Sequence, residues 1–133
     1  MSSPESATPI RHCISFDIEE HFQVAAFDSP ARRRQWGSLE SRVEQNMDLI
    51  LGHLDAYQVK ATMFVLGWVA EKCPSLIRRM VDAGHELASH GYGHELISVQ
   101  TPEQFREDVR RAKRVLEDVS GNMCWGIGPL HFP

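Results

Sequence analysis

The chain has 133 residues, 42% of them apolar, which suits one domain with a sizeable core and excludes a linker or tail protein. Its 14 Lys and Arg against 18 Asp and Glu give a formal charge of −4, so no broad positive field favours nucleic acid or an acidic membrane. Three cysteines, Cys13, Cys73 and Cys124, are odd in number and lack C-x-x-C spacing, which argues against a disulfide framework and for a reducing compartment.

Met1 to Ser6 carry neither a basic nor an apolar signal region, and no later run is long enough to span a bilayer, so a cytoplasmic protein is expected. Residues 1–11, rich in Ser, Pro and Thr, read as a disordered leader. Cys13-Ile14-Ser15-Phe16 then reads as a short buried strand with Asp17 at its C-terminal end, where α/β folds place their chemistry. From Ile18 to Ser38 no period is evident, which predicts a long functional loop with at most one irregular helical turn. The run Arg32-Arg33-Arg34 reads as solvated loop.

Ser41 and Glu44 have capping-box spacing, and Val43, Met47, Ile50, Leu51 and Leu54 recur at helical intervals, predicting an amphipathic helix to about Tyr57. Ala61 to Leu66 is a continuous apolar run and reads as a buried strand. A second helix has Pro74 at its first position, Leu76, Ile77, Met80 and Val81 on one face, and Gly84 past its end. His85 to Ser89 reads as a third strand, with His85 at the end away from the rim, where it caps or packs. Thr101-Pro102-Glu103-Gln104 opens a third helix running to about Val119. Strand and helix alternate, so the fold class is α/β with parallel strands and crossover helices, and the strand C-termini share one rim.

Two clusters would meet on that rim. His90 and His94 form an H-x-x-x-H pair among the glycines Gly91 and Gly93, which permit a tight turn with both rings facing inward. Ordinary loop histidines are the plain alternative. Asp17, Glu19 and Glu20 put three carboxylates within four residues, a mutual repulsion that a divalent cation would offset. In such a D-x-E arrangement one carboxylate can ligate while another takes a proton from water. Of the aromatics Phe22, Phe27, Trp36 and Trp68, which are more often core than sugar platform, Trp68 is the best placed to reach the rim.

Three blocks, Ser15 to Val24, Ala61 to Ala70 and Ala83 to His94, together resemble the NodB-homology polysaccharide deacetylases, and most of all the branch associated with exosortase and exopolysaccharide clusters. The resemblance runs from about Cys13 to Gly126. It implies the N-terminal part of a distorted (β/α) barrel, incomplete here, and a metal-dependent N-deacetylase acting on N-acetylated polysaccharides or oligosaccharides. Carried over by position, Asp17 is the catalytic base, while Glu19, His90 and His94 are the ligands of a divalent metal, zinc in many members. Glu20 is a rival to Glu19.

The resemblance also implies an R-x-P block where this chain has Trp125-Gly126-Ile127-Gly128-Pro129-Leu130-His131-Phe132-Pro133. Restoring one base in a G-rich choice of codons converts that stretch to Trp-Gly-Tyr-Arg-Ala-Pro-Ser-Phe-Ser. The expectation is a partial deacetylase domain over residues 12–126, an aberrant tail over 127–133, impaired activity, and a possible complementing C-terminal fragment. Two alternatives remain: a different metal-dependent amidohydrolase cleaving C–N bonds, or an inactive metal- or carbohydrate-binding remnant.

Overall fold

The computed structural model describes residues 10–128, so residues 1–9 of the expected leader and 129–133 of the expected tail lie outside the described residues. Three four-residue strands, β1 (Ser15–Ile18), β2 (Thr62–Val65) and β3 (Glu86–Ser89), form one parallel sheet in the order β1-β2-β3. Asp17, Phe64 and Ala88 lie side by side in register, as do Ile18, Val65 and Ser89. This is the α/β arrangement the alternating pattern predicts. Beyond β3 the sheet continues briefly. Ile127 bridges Ser89 in parallel, and Ser89 N–H donates to the Gly126 carbonyl at 2.8 Å while Gly128 N–H donates to the Ser89 carbonyl at 2.7 Å.

Alternation along each strand decides which face is covered. Ile18, Met63, Val65 and Leu87 are buried in a common core with Val43, Met47 and Leu54 of helix α2 (Val43–Ala56). Val69 and Ala70 of α3 (Gly67–Lys72) join them, with Leu76, Ile77 and Met80 of α4 (Pro74–Asp82) and Leu116 of α5 (Pro102–Ser120). The opposite face presents Ser15, Asp17, Thr62, Phe64 and Glu86, exposed or half-buried, and Ala88, buried where Gly126 approaches it. Burying a full Leu or Ile side chain contributes about 1.5–3 kcal/mol, so this one-sided core is what holds the sheet to its helices.

Local signals place α4 and α5 well. Pro74 opens α4, and Thr101 and Gln104 form both limbs of the capping box on α5, at 3.2 Å and 2.8 Å. His85, just outside β3, is buried at the end of the sheet away from the rim, and its Nδ1 accepts the Ala61 N–H at 3.2 Å. It packs, as its position predicted.

Three expectations need correction. The segment from Ile18 to Ser38 is more ordered than a loop: it holds a 3-10 turn at Ala25–Phe27, helix α1 (Pro30–Gln35) and a second 3-10 turn at Trp36–Ser38. Ser29 caps α1 through the Arg32 N–H and Pro30 opens it, a short-range signal masked by the absence of apolar periodicity. Second, the first strand is Ser15–Ile18 and not Cys13 to Phe16, and Cys13 and Ile14 stand exposed before it, so the apolar run there is not a buried strand. Third, Ser41 does not cap α2. The helix starts at Val43 with Arg42 as its N-cap and no side-chain cap bond, and the Ser41 hydroxyl donates to the Glu20 carboxylate instead.

Candidate metal centre

β1 ends at the rim, and its pleat turns Ile18 into the core and Asp17 onto the open face. The two glutamates that follow part company. Glu20 is buried, and its carboxylate accepts the Ser41 hydroxyl, the Arg42 N–H at 3.0 Å and the Val43 N–H at 3.3 Å. It thus caps α2 from another segment, with its negative charge at the positive end of the helix. Glu19 turns the other way, towards the histidines.

His90 and His94 are both buried, their ring centroids 5.1 Å apart. Glu19 Oε2 lies 3.1 Å from His94 Nε2 and 3.9 Å from His90 Nε2. Asp17 Oδ2 lies 3.9 Å from His90 Nε2, with its side chain 53% exposed against 20% for Glu19. One ligand atom from each of Glu19, His90 and His94 falls within a 4.8 Å cluster. Donors about 2.0–2.1 Å from a tetrahedral ion sit roughly 3.3 Å from one another, so the observed separations bracket that spacing. Two imidazole nitrogens and one carboxylate oxygen, half-closed from water, fit a small divalent cation. The structure brings together Asp17, Glu19, His90 and His94, and takes Glu20 away from them.

The turn that carries the histidines is fastened along its backbone. His90 N–H donates to the Val65 carbonyl at 2.9 Å, extending the β2–β3 pairing by one residue. The N–H groups of Gly67 and Trp68, in the first turn of α3, donate to the carbonyls of Gly91 and Tyr92 at 2.9 and 3.1 Å. Asp108 of α5 accepts the Tyr92 and Gly93 N–H groups at 2.9 and 3.3 Å. From α1, Arg33 donates to the Gly93 carbonyl at 2.7 Å and the His94 carbonyl at 3.4 Å. Gly91 has φ +75° and His94 φ +53°, the latter costing on the order of 1 kcal/mol in a residue with a Cβ. The Arg32-Arg33-Arg34 run is therefore not simply solvated, because Arg33 reaches inward.

Tyr92 anchors the same turn outwardly. Its hydroxyl donates to Glu71 at 2.6 Å and the Arg111 guanidinium lies 3.4 Å from its ring centroid. Burial, and then the Glu71 carboxylate, push its phenol up to about 12. Beside the site, Phe22, Trp36 and Trp68 pack edge to face or tilted, with centroids 5.6–6.2 Å apart. Phe22 and Trp36 are buried and Trp68 is half-buried, and all three line a cleft of about 300 Å³ with Lys72 and Glu44; Phe27 stands apart and exposed. Local patterns single out neither Arg33 nor Asp108. Each acts on residues far away in sequence and looks like an ordinary surface charge on its own helix.

A parallel α/β sheet with a carboxylate and two imidazoles converging at its rim defines a domain built around a candidate metal site. The polysaccharide deacetylase family model matches residues 28–129, and the chain belongs to that family. His90 and His94 fall inside the matched span; Asp17 and Glu19 precede it.

A peptidoglycan-N-acetylglucosamine deacetylase of Bacillus cereus is 32% identical over 72 residues, 54% of this chain and 26% of the relative. A chitooligosaccharide deacetylase of Bradyrhizobium sp. is 39% identical over 67 residues, 50% of this chain and 31% of the relative. The chain thus spans about a quarter to a third of the length of these curated relatives. Among solved structures, a protein from Mycobacterium smegmatis assigned to the polysaccharide deacetylases superposes with TM-score 0.71 at 30% identity, over 86% of this chain and 41% of that one. The Puue allantoinase superposes with TM-score 0.57 at 35% identity, over 59% of this chain and 26% of that one.

Proposed function

We propose that this chain carries the metal-holding part of a polysaccharide N-deacetylase centre, in the exopolysaccharide-associated branch of the family, with Glu19, His90 and His94 as ligands of zinc or a similar divalent ion. The observation that supports it most is the convergence of Glu19 Oε2 with the two Nε2 atoms beside Asp17. A divalent cation held there supplies Lewis acidity towards an acyl oxygen and towards water. The protein's own residues supply the rest. The buried imidazoles stay fixed by the fastened turn, which keeps both Nε2 donors pointed at one spot. Asp17, more exposed than Glu19, is accessible from solvent and would take the proton released when water attacks the acetamide carbon, that proton passing to the departing nitrogen as the C–N bond breaks and acetate forms. The exposed Asp17 side chain on the rim leaves room for an N-acetylated glycan to approach. Loss of each acetyl group leaves an amine that is cationic at neutral pH, which alters how the polymer adheres.

The likeness to an allantoinase favours a second reading, in which the same residues hydrolyse the C–N bond of a small non-sugar amide. One experiment addresses both. The chain is titrated with Zn2+ and Co2+, then the loaded protein is incubated with an N-acetylated chitin oligomer or with small ureides. Acetate release from the oligomer that is absent in Asp17→Asn supports the deacetylase. Ureide cleavage alone supports the second reading, and failure to bind either metal overturns both.

A further inference from the structure

We infer that Arg33 is a positioning residue for His94: its guanidinium, steadied by Asp28, grips the Gly93 and His94 carbonyls and so holds the His94 imidazole in its metal-binding pose. The inference rests on the reading of His94 as a ligand.

Arg33 uses its whole fork. Nε and Nη2 donate to the two Asp28 oxygens at 2.6 and 2.7 Å, Nη1 donates to the Gly93 carbonyl at 2.7 Å, and Nη2 also reaches the His94 carbonyl at 3.4 Å. The guanidinium carbon lies 5.0 Å from the Trp36 ring centroid, so the plane has an aromatic neighbour as well. The Arg33 and Asp28 side chains are 28% and 29% exposed, and the bonds Arg33 makes to the Gly93 and His94 carbonyls are part-buried.

The preceding peptide group is held by charge of the other sign. Gly93 N–H, in the peptide before it, donates to Asp108, and the Gly93 carbonyl, in the peptide that leads into His94, accepts from Arg33, so two successive peptide groups are held by a carboxylate on α5 and a guanidinium on α1. His94 follows with φ +53°, a conformation that a β-carbon disfavours and that needs external support. With Arg33 gone, two part-buried carbonyls lose their donor and nothing from α1 opposes a return to ordinary φ. That return would carry the ring away from Glu19 Oε2, 3.1 Å distant. A lysine cannot replace the fork, since one ammonium cannot span the carboxylate and both carbonyls in a plane.

The test is a mutant cycle read by cobalt and zinc titration of the purified chain, with circular dichroism to confirm folding. Arg33→Met should weaken metal affinity about 10–100-fold, the range typical of outer-shell partners, and Arg33→Lys by part of that. Because Arg33 acts through His94, Arg33→Met should add less than about twofold in a His94→Ala background yet keep its effect in a His90→Ala background. Wild-type affinity in Arg33→Met, or equal losses in the two backgrounds, would overturn the inference and leave Arg33 a general structural residue. If Arg33→Met does not fold, the same cycle with Arg33→Lys decides. Wild-type affinity in His94→Ala would remove the ligand role and the inference with it. Loss in His94→Ala without loss in Arg33→Met overturns the Arg33 role alone.

Discussion

The Glu20 carboxylate accepts the Arg42 backbone N–H at 3.0 Å, across 22 residues of chain, and with Val43 N–H and the Ser41 hydroxyl it closes the N-terminus of α2. This bond ties the acidic segment after β1 to a core helix, so the neighbouring Glu19 leaves β1 from a fixed base. Glu20→Ala would remove the acceptor of the part-buried Ser41 hydroxyl and Arg42 N–H and of the buried Val43 N–H, at a cost of about 1–3 kcal/mol. Urea unfolding should show that loss, while Glu19→Ala should unfold at nearly the wild-type midpoint yet bind metal far more weakly. Comparable stability in Glu20→Ala and wild type would show that water replaces the cap.

The proposed separation of ligand from base makes a second prediction. His90→Ala and His94→Ala each remove one of three protein donors, and Zn2+ affinity should fall by at least about 100-fold, beyond the effect of most outer-shell changes. Asp17→Asn should leave affinity within a few-fold of wild type and abolish any acetate release. Calorimetric titration gives the affinities. Equal zinc binding by wild type and the double histidine variant would mean the ion sits elsewhere.

Gly67 sits where α3 meets the histidine turn. A Cβ there would stand 2.6 Å from Tyr92 Cδ2 and 3.2 Å from the Ala112 Cα, and the backbone at Ala112 cannot yield cheaply. Gly67→Ala should therefore cost about 1–3 kcal/mol as overpacking and, by pushing Tyr92, displace the turn and weaken metal binding. A drop in stability with unchanged affinity would show that the turn is held by Arg33 and Asp108 without help from α3.

Periodic and short-range signals were legible in this chain; contacts between distant segments were not. β2 and α5 follow from an apolar run interrupted by Thr62 alone and from Thr101 and Gln104, because burial and capping there depend on nearby residues. The same reasoning misassigns Ser41, whose spacing to Glu44 imitates a cap although Glu20, a stronger acceptor from another segment, takes the bond. His90, His94 and Asp17 could be placed on one rim because parallel strands align their C-terminal ends. The family resemblance already prefers Glu19 to Glu20, and the structure adds where each carboxylate turns, Glu19 towards His94 and Glu20 to the N-terminus of α2, a divergence no local pattern reveals. Arg33 illustrates the same limit: a run of three arginines reveals nothing about which one points inward.

His85 gives the chain a pH dependence away from the candidate metal site. Burial, and then the Lys60 charge, hold its imidazole below the usual histidine range, and its Nδ1 must stay unprotonated to accept the Ala61 N–H. The folded state therefore binds this proton less readily than the unfolded chain does. The contribution to stability is complete above the unfolded value of about 6.5 and is lost as the pH falls from there through the folded value. Urea midpoints should decline over that acidic window, and His85→Asn, whose side-chain oxygen can accept the same N–H without titrating, should flatten the decline. Measuring both proteins with chelator present keeps metal release at His90 and His94 out of the comparison. An identical pH profile for the two would show that the Ala61 bond survives protonation of the ring or does not contribute to stability.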